Sequence, residues 1–216
     1  MAKTVTAAEM KERERAANEA GLLYIQMMEN AGRAAYAELK RRVPALRRLL
    51  IVAGKGNNGG DGFVMARVAA KEGVQVRVLL AEGEPKTADA KTNLTRLAET
   101  AAEVVRDTEQ AAFGADAVVD ALYGTGFHGE LRPGGAAACA LMGRERERGA
   151  FVLALDLPSG VSADSGEVAE GAVQADATVT FDCTKPLHFA KASKPLCGAL
   201  VCVDIGIGKA LGEHET

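Results

Sequence analysis

Five glycines and two asparagines crowd into residues 54–62, Gly54-Lys55-Gly56-Asn57-Asn58-Gly59-Gly60-Asp61-Gly62. Glycine frees the backbone for left-handed conformations, so such a run can turn several successive N–H groups toward one anion. A helix starting at Gly62 would add its positive end, the usual seat of a phosphate. Taken literally, Gly54, Gly56 and Gly59 satisfy the G-x-G-x-x-G spacing of dinucleotide sites, and Glu82 stands where a ribose-binding acid would follow. That spacing explains neither Asn57-Asn58 nor Asp61.

Three further segments hold groups able to do chemistry. Asp120 ends an apolar run and precedes Gly124-Thr125-Gly126-Phe127-His128-Gly129-Glu130. Asp156 opens Asp156-Leu157-Pro158-Ser159-Gly160 after a second run, and Asp182 and Lys185 follow a third. A partly desolvated Asp156 can serve as a general base. Lys185 can pair with it, orient a phosphate, or stand in solvent. Asp120 alone reads as a cap or loop hydrogen-bonder. Together with the Asn58 amide oxygen and the Ser159 hydroxyl it forms an oxygen set with one charge, thin for Mg²⁺ or Ca²⁺ and better matched to a monovalent cation such as K⁺. His128 can touch ligand or solvent. His188 and His214 have no partners at metal-ligand spacing, and no zinc pattern or nucleophile elbow is present.

Positioning these groups needs a scaffold. Thr6 and Glu9 stand at capping-box spacing, and a second helical stretch runs from about Leu22 to Arg42 before Val43-Pro44 stops it. Strand and helix patterns then alternate. Strands are expected at 48–53, 74–80, 103–105, 115–120, 151–155, 177–181 and 199–203, and helices at 62–71, 87–100 and 135–148. The charged run Arg144-Glu145-Arg146-Glu147-Arg148 reads as a solvated helix end. This alternation predicts an α/β fold, a mostly parallel sheet with helices on both faces. Ligands of such sheets bind beyond the carboxyl ends of the strands, and all four functional segments follow strands. Their convergence marks an active-site rim.

The chain has 216 residues, 48% of them hydrophobic, which suits one domain with a sizeable core. A net charge of −3 with 25% charged residues leaves no footprint for nucleic acid or an anionic membrane. No apolar run reaches signal-peptide or membrane-spanning length, which points to the cytoplasm. Cys139, Cys183, Cys197 and Cys202 form no CxxC pair and read as reduced structural cysteines.

Read together, these segments resemble the NAD(P)H-hydrate epimerase family, also called the YjeF N-terminal domain family. The resemblance rests on Met28-Glu29-Asn30-Ala31-Gly32, the run 54–62, Val119-Asp120-Ala121-Leu122-Tyr123-Gly124-Thr125-Gly126 and Leu155-Asp156-Leu157-Pro158-Ser159-Gly160-Val161. Thr178-Val179-Thr180-Phe181, Lys185-Pro186 and Val203-Asp204-Ile205-Gly206-Ile207 continue it in order. The family often has Phe where Tyr123 stands and Gly where Leu187 stands, the latter bearing on the turn beside Lys185. What the resemblance implies is a three-layer α/β/α Rossmann-like fold spanning residues 1–216 as one domain, usually in a homodimer. It also implies interconversion of the R and S forms of the hydrated cofactors NADHX and NADPHX, with a separate dehydratase restoring NAD(P)H. No fused dehydratase domain is expected within these residues. By position, Asn57, Asn58, Gly59, Gly60, Asp61, Gly124, Thr125, Gly126, Phe127, His128, Gly129, Glu130 and Asp156 would bind substrate. Asn58, Asp120 and Ser159 would hold one K⁺ per subunit, and Asp156 and Lys185 would be catalytic.

The chemistry implied is inversion at a carbon bearing a hydroxyl next to the ring nitrogen. Asp156 would take the hydroxyl proton, the carbon–nitrogen bond would open to an aldehyde, and the ring would re-close on the other face; loss and re-addition of water is the second route. Two other readings are an NAD(P)-dependent dehydrogenase and a non-catalytic binding or scaffold module on the same fold. Asn58, Asp120, Asp156 and Ser159 standing together argue against a decayed site.

Overall fold

A computed structural model describes residues 3–213. His214 therefore lies outside the described residues. The architecture follows from the apolar alternation. Seven strands, β1 (Arg48–Ala53), β2 (Gln75–Leu80), β3 (Glu103–Val105), β4 (Ala117–Ala121), β5 (Phe151–Leu155), β6 (Ala177–Phe181) and β7 (Ala199–Val203), form one sheet in the order β3-β2-β1-β4-β5-β6-β7. Every pairing in it is parallel. The chain winds outward from β1 to β3, crosses back, and winds out the other way from β4. The order thus reverses between β1 and β4, which opens a crevice at their carboxyl ends.

Both sheet faces are covered, as buried parallel strands require. Leu49, Ile51 and Ala53 of β1 face one core with Phe63, Met65 and Leu39, while Leu50 and Val52 face the other with Leu141 and Met142. The first layer holds α1 (Ala7–Glu19), α2 (Tyr24–Arg42), α3 (Asn57–Lys71), α4 (Ala88–Leu97) and the single turn α8 (Ile207–Ala210). The second holds α5 (Thr108–Ala111) and α6 (Pro133–Glu147). A small third cluster, Leu157, Val161, Ala163, Leu187 and Cys197, packs the loop after β5 against α7 (Lys194–Cys197). Leu187 is fully buried there, inside the 3₁₀ turn Pro186–His188. The larger side chain thus fills an apolar pocket and leaves the turn intact.

Most predicted elements are present, and the Thr6–Glu9 capping box forms in both directions. Two expectations fail for physical reasons. First, α3 starts at Asn57, not Gly62. Asn-Asn-Gly-Gly-Asp reads as turn chemistry, yet close packing outweighs that propensity. A Cβ at Gly59 would lie 2.2 Å from the Gly54 carbonyl oxygen, and one at Gly60 would lie 2.5 Å from Met28 Sδ. These glycines let the first turn of α3 settle onto β1 and α2. Second, Glu145 is buried rather than solvated. Its carboxylate accepts the Ala115 N–H at 3.1 Å and an Arg148 N–H at 2.9 Å, so the end of α6 ties down the approach to β4. The one-turn helices α5, α7 and α8 are too short to leave a period in the sequence.

Gly59→Ala should lower the melting temperature by about 4 °C or more, since overpacking against backbone costs roughly 1–3 kcal/mol. Gly56→Ala is the matched control, because nothing lies within 4 Å of a Cβ there. Equal melting shifts for the two variants would contradict this account.

Candidate active site

A cavity of about 650 Å³ opens beyond the carboxyl ends of β1, β2, β4, β5 and β6. The predicted residues Asn57, Asn58, Asp61, Gly124, Thr125, Gly126, Phe127, His128, Glu130, Asp156 and Lys185 all line it. Gly59, Gly60 and Gly129 do not; the first two serve helix packing instead. Gly56 begins α3 without a side-chain cap, so the N–H groups of the first turn are left to the cavity beside Asn57 and Asn58. An anion placed here would meet a helix end, with a shorter loop than the glycine count suggests.

Asp156 is the most constrained residue of the site. Its φ is 66°, a left-handed value costing of order 1 kcal/mol for a non-glycine residue. The Leu157 N–H donates to the Leu155 carbonyl at 2.8 Å, closing a γ-turn centred on Asp156. The Asp156 N–H donates to the Val179 carbonyl at 2.7 Å. Its carboxylate oxygen Oδ1 accepts from Lys185 Nζ at 2.5 Å and from the Thr180 hydroxyl at 2.9 Å. Oδ2 accepts no hydrogen bond among the described residues and is left to the cavity.

Lys185 is buried, 1% exposed. A lone buried ammonium would cost several kcal/mol, so its partners matter. Nζ donates to Asp156, to the Thr180 hydroxyl at 2.9 Å and to the Cys183 carbonyl at 3.1 Å, which occupies its three donors. The ammonium therefore acts through Asp156. The Lys185 N–H donates to His188 Nδ1 at 3.0 Å. That fixes the neutral tautomer with its proton on Nε2, which donates to the Asp156 carbonyl at 3.0 Å. Burial pushes the imidazole below its ordinary range. His188 and Thr180 thus hold Asp156 and Lys185 together, a role their sequence positions do not signal.

Asp182 centres a second γ-turn with φ 59°, the Cys183 N–H donating to the Phe181 carbonyl at 2.6 Å. It does not line the cavity. Its carboxylate pairs with Arg13 at 3.0 Å and anchors α1, which brings Met10 and Glu14 over the cavity. Burial first, and the Asp156 charge second, push the Glu14 carboxyl up. Burial, Asp156 and Glu14 likewise push Asp61 well above the carboxylate range. Glu14 went unnoticed in the sequence because its helix is dense with exposed charges.

The three expected cation ligands meet around Tyr123, beneath the cavity. Asn58 Nδ2 donates to the Tyr123 carbonyl at 2.8 Å, and the Tyr123 N–H donates to Ser159 Oγ at 3.0 Å. Ser159 donates its hydroxyl to Asp120 Oδ1 at 2.6 Å and its N–H to Oδ2 at 2.7 Å. Asp120 is fully buried, which pushes its carboxyl up to about 6. The Asn58 amide oxygen is buried without a hydrogen-bond partner among the described residues. An orphaned acceptor beside a buried carboxylate suits a cation, which would satisfy the one and neutralise the other.

At the β2 end, Glu82 is not a free ribose acceptor. Its Oε1 accepts from the Tyr123 hydroxyl at 2.9 Å and Arg132 Nε at 3.1 Å, and its Oε2 from Arg132 Nη2 at 3.0 Å. The four cysteines are free, and burial raises the thiols of Cys139, Cys183, Cys197 and Cys202. No helix among the described residues is long and apolar enough to cross a membrane.

The chain matches known proteins in sequence and in fold. Residues 24–187 match the family model described as YjeF-related protein N-terminus. A Pirellula staleyi protein named NAD(P)H-hydrate epimerase is 40% identical over 207 residues, covering 90% of this chain and 88% of that protein. A Coxiella burnetii protein named bifunctional NAD(P)H-hydrate repair enzyme Nnr is 36% identical over 203 residues. That match covers 94% of this chain, which spans only 41% of the length of the Coxiella protein. The crystal structure of the yeast protein ynu0, YNL200c, shares the fold with a TM-score of 0.76 at 20% identity, covering 94% of this chain and 88% of that one. The family model over residues 24–187 and the relatives that match nearly the whole chain place it in the YjeF-related N-terminal domain family.

Proposed function

We propose that this chain is an isomerase that interconverts the R and S epimers of NADHX and NADPHX. The observation that carries the reading is the Asp156 carboxylate. One oxygen is fixed by Lys185 and Thr180, and the other is presented to a cavity of about 650 Å³ at the strand ends. Epimerisation of a hydrated nicotinamide ring by ring opening requires a base at one hydroxyl and no electron acceptor. Asp156 Oδ2 takes the hydroxyl proton, the O–H electron pair forms the aldehyde, and the carbon–nitrogen pair moves onto the ring nitrogen. After rotation the nitrogen attacks the other carbonyl face and Asp156 returns the proton. Nothing is oxidised or reduced. Lys185 keeps the carboxylate aimed, and the uncapped end of α3 holds the pyrophosphate.

K⁺ belongs to the same proposal. Asn58 Oδ1, Asp120 and Ser159 would hold one ion per subunit, supplying a fixed positive charge that anchors the Leu122–Gly124 turn. The chain would work as a homodimer in the cytoplasm, in sequence with a dehydratase that consumes the S form. That coupling is supported by the relatives named as bifunctional repair enzymes.

Asp156→Asn should reduce interconversion of mixed R and S NADHX at least about a hundredfold, because general acid–base catalysis is worth 10²–10⁴. Chromatography of the epimers measures it, and wild-type turnover in this variant would remove Asp156 from the mechanism. Exchange of K⁺ for tetramethylammonium should lower the melting temperature of the wild type by about 3 °C, as for an ion at tenfold its dissociation constant. In Asn58→Ala the two salts should give the same melting point. A K⁺ effect that persists in this variant would count against the site.

A further inference from the structure

We infer that Arg132, held in place by Glu82, receives the 2′-phosphate of NADPHX and so sets the preference between the two substrates. This rests on the epimerase reading and deepens it. Among the charged residues lining the cavity, Asp156 is paired with Lys185 at the β5 and β6 end, whereas Lys55 follows β1, Lys86 follows β2 and Arg132 is paired with Glu82 beside them. Glu82 and Asp156 follow β2 and β5, which are three strand positions apart in the sheet, about 14 Å. The hydrated ring of the substrate carries no charge, while its pyrophosphate and any 2′-phosphate are anions. With the ring placed at Asp156, the base of the proposed reaction, the adenylate would extend toward Lys55, Lys86 and Arg132.

At the adenylate end an acid following β2 would normally accept the ribose hydroxyls and repel a 2′-phosphate. Glu82 cannot do so here. Its side chain is 7% exposed and both oxygens are occupied by Tyr123 and Arg132. The pairing uses Nε and Nη2 of Arg132. Nη1 makes no hydrogen bond among the described residues, and the side chain is 70% exposed at the cavity rim. The guanidinium also lies over the Tyr123 ring, 5.9 Å from its centroid. Glu82 and Tyr123 thus act as positioning residues that orient a fork whose free edge faces ligand. A fork of this kind suits a phosphate better than a hydroxyl pair.

Arg132→Ala should lower kcat/KM for NADPHX about tenfold or more, as expected for loss of charge-assisted phosphate hydrogen bonds, and change it less than about threefold for NADHX. Titration with NADP⁺ and NAD⁺ should show the same selective loss without turnover. Equal losses for both substrates, or none for NADPHX, would overturn the assignment. The double variant Glu82→Gln/Arg132→Ala repeats the comparison without leaving a buried unpaired carboxylate, should the single variant unfold. A wild type inert toward both hydrates, whose NADP⁺ preference disappears in Arg132→Ala, would refute the epimerase reading while keeping Arg132 as a seat for a 2′-phosphate.

Discussion

The ion pair between Lys185 and Asp156 is the constraint on which the site depends. A buried ammonium is tolerated only where acceptors surround it, and Lys185 has three, one of them charged. Those acceptors come from the ends of β5 and β6, so the pair requires two adjacent parallel strands to end in register. Val179 of β6 also accepts the N–H of Asp156 itself. The left-handed turn at Asp156 follows, because only a sharp reversal at the end of β5 brings the carboxylate back over β6. His188 closes the arrangement by bonding the backbone of both partners. Removing any one member leaves a buried charge or a strained backbone without compensation.

The scaffold was largely legible in the sequence because it rests on apolar periodicity, which burial in a two-sided parallel sheet enforces directly. The runs around Ile51, Val119, Leu153 and Val179 read as strands for that reason. The candidate site was legible where polar residues interrupt these runs at their ends, as at Asp120 and Asp156. It is ambiguous where one residue type serves two purposes. Gly59 and Gly60 resemble a phosphate loop, yet their lack of a Cβ is needed against Gly54 and Met28. Asp182 follows its strand much as Asp156 does, and only the ion pair with Arg13 separates this anchor from the carboxylate that lines the cavity. Glu14 and His188 were invisible because their roles depend on elements far away in the chain, over which no local pattern extends.

Tyr123 shows how the two halves of the site are joined. Its N–H and carbonyl bond Ser159 and Asn58, which with Asp120 make up the proposed cation site. Its hydroxyl bonds Glu82, and its ring stacks on Phe127 with centroids 4.9 Å apart. One residue therefore spans the layer that would bind a cation and the end of the cavity that would bind an anion. A cation below Tyr123 would stiffen its backbone through Asn58 and Ser159. The same stiffening would reach Glu82 and Arg132 through the side chain. Cation binding and adenylate recognition would then be coupled by a single rigid residue, with no large movement of the sheet. Phenylalanine at this position would keep the ring stacking and the backbone bonds but lose the link to Glu82. Under the proposed roles, the hydroxyl is what would tie substrate discrimination to the cation layer.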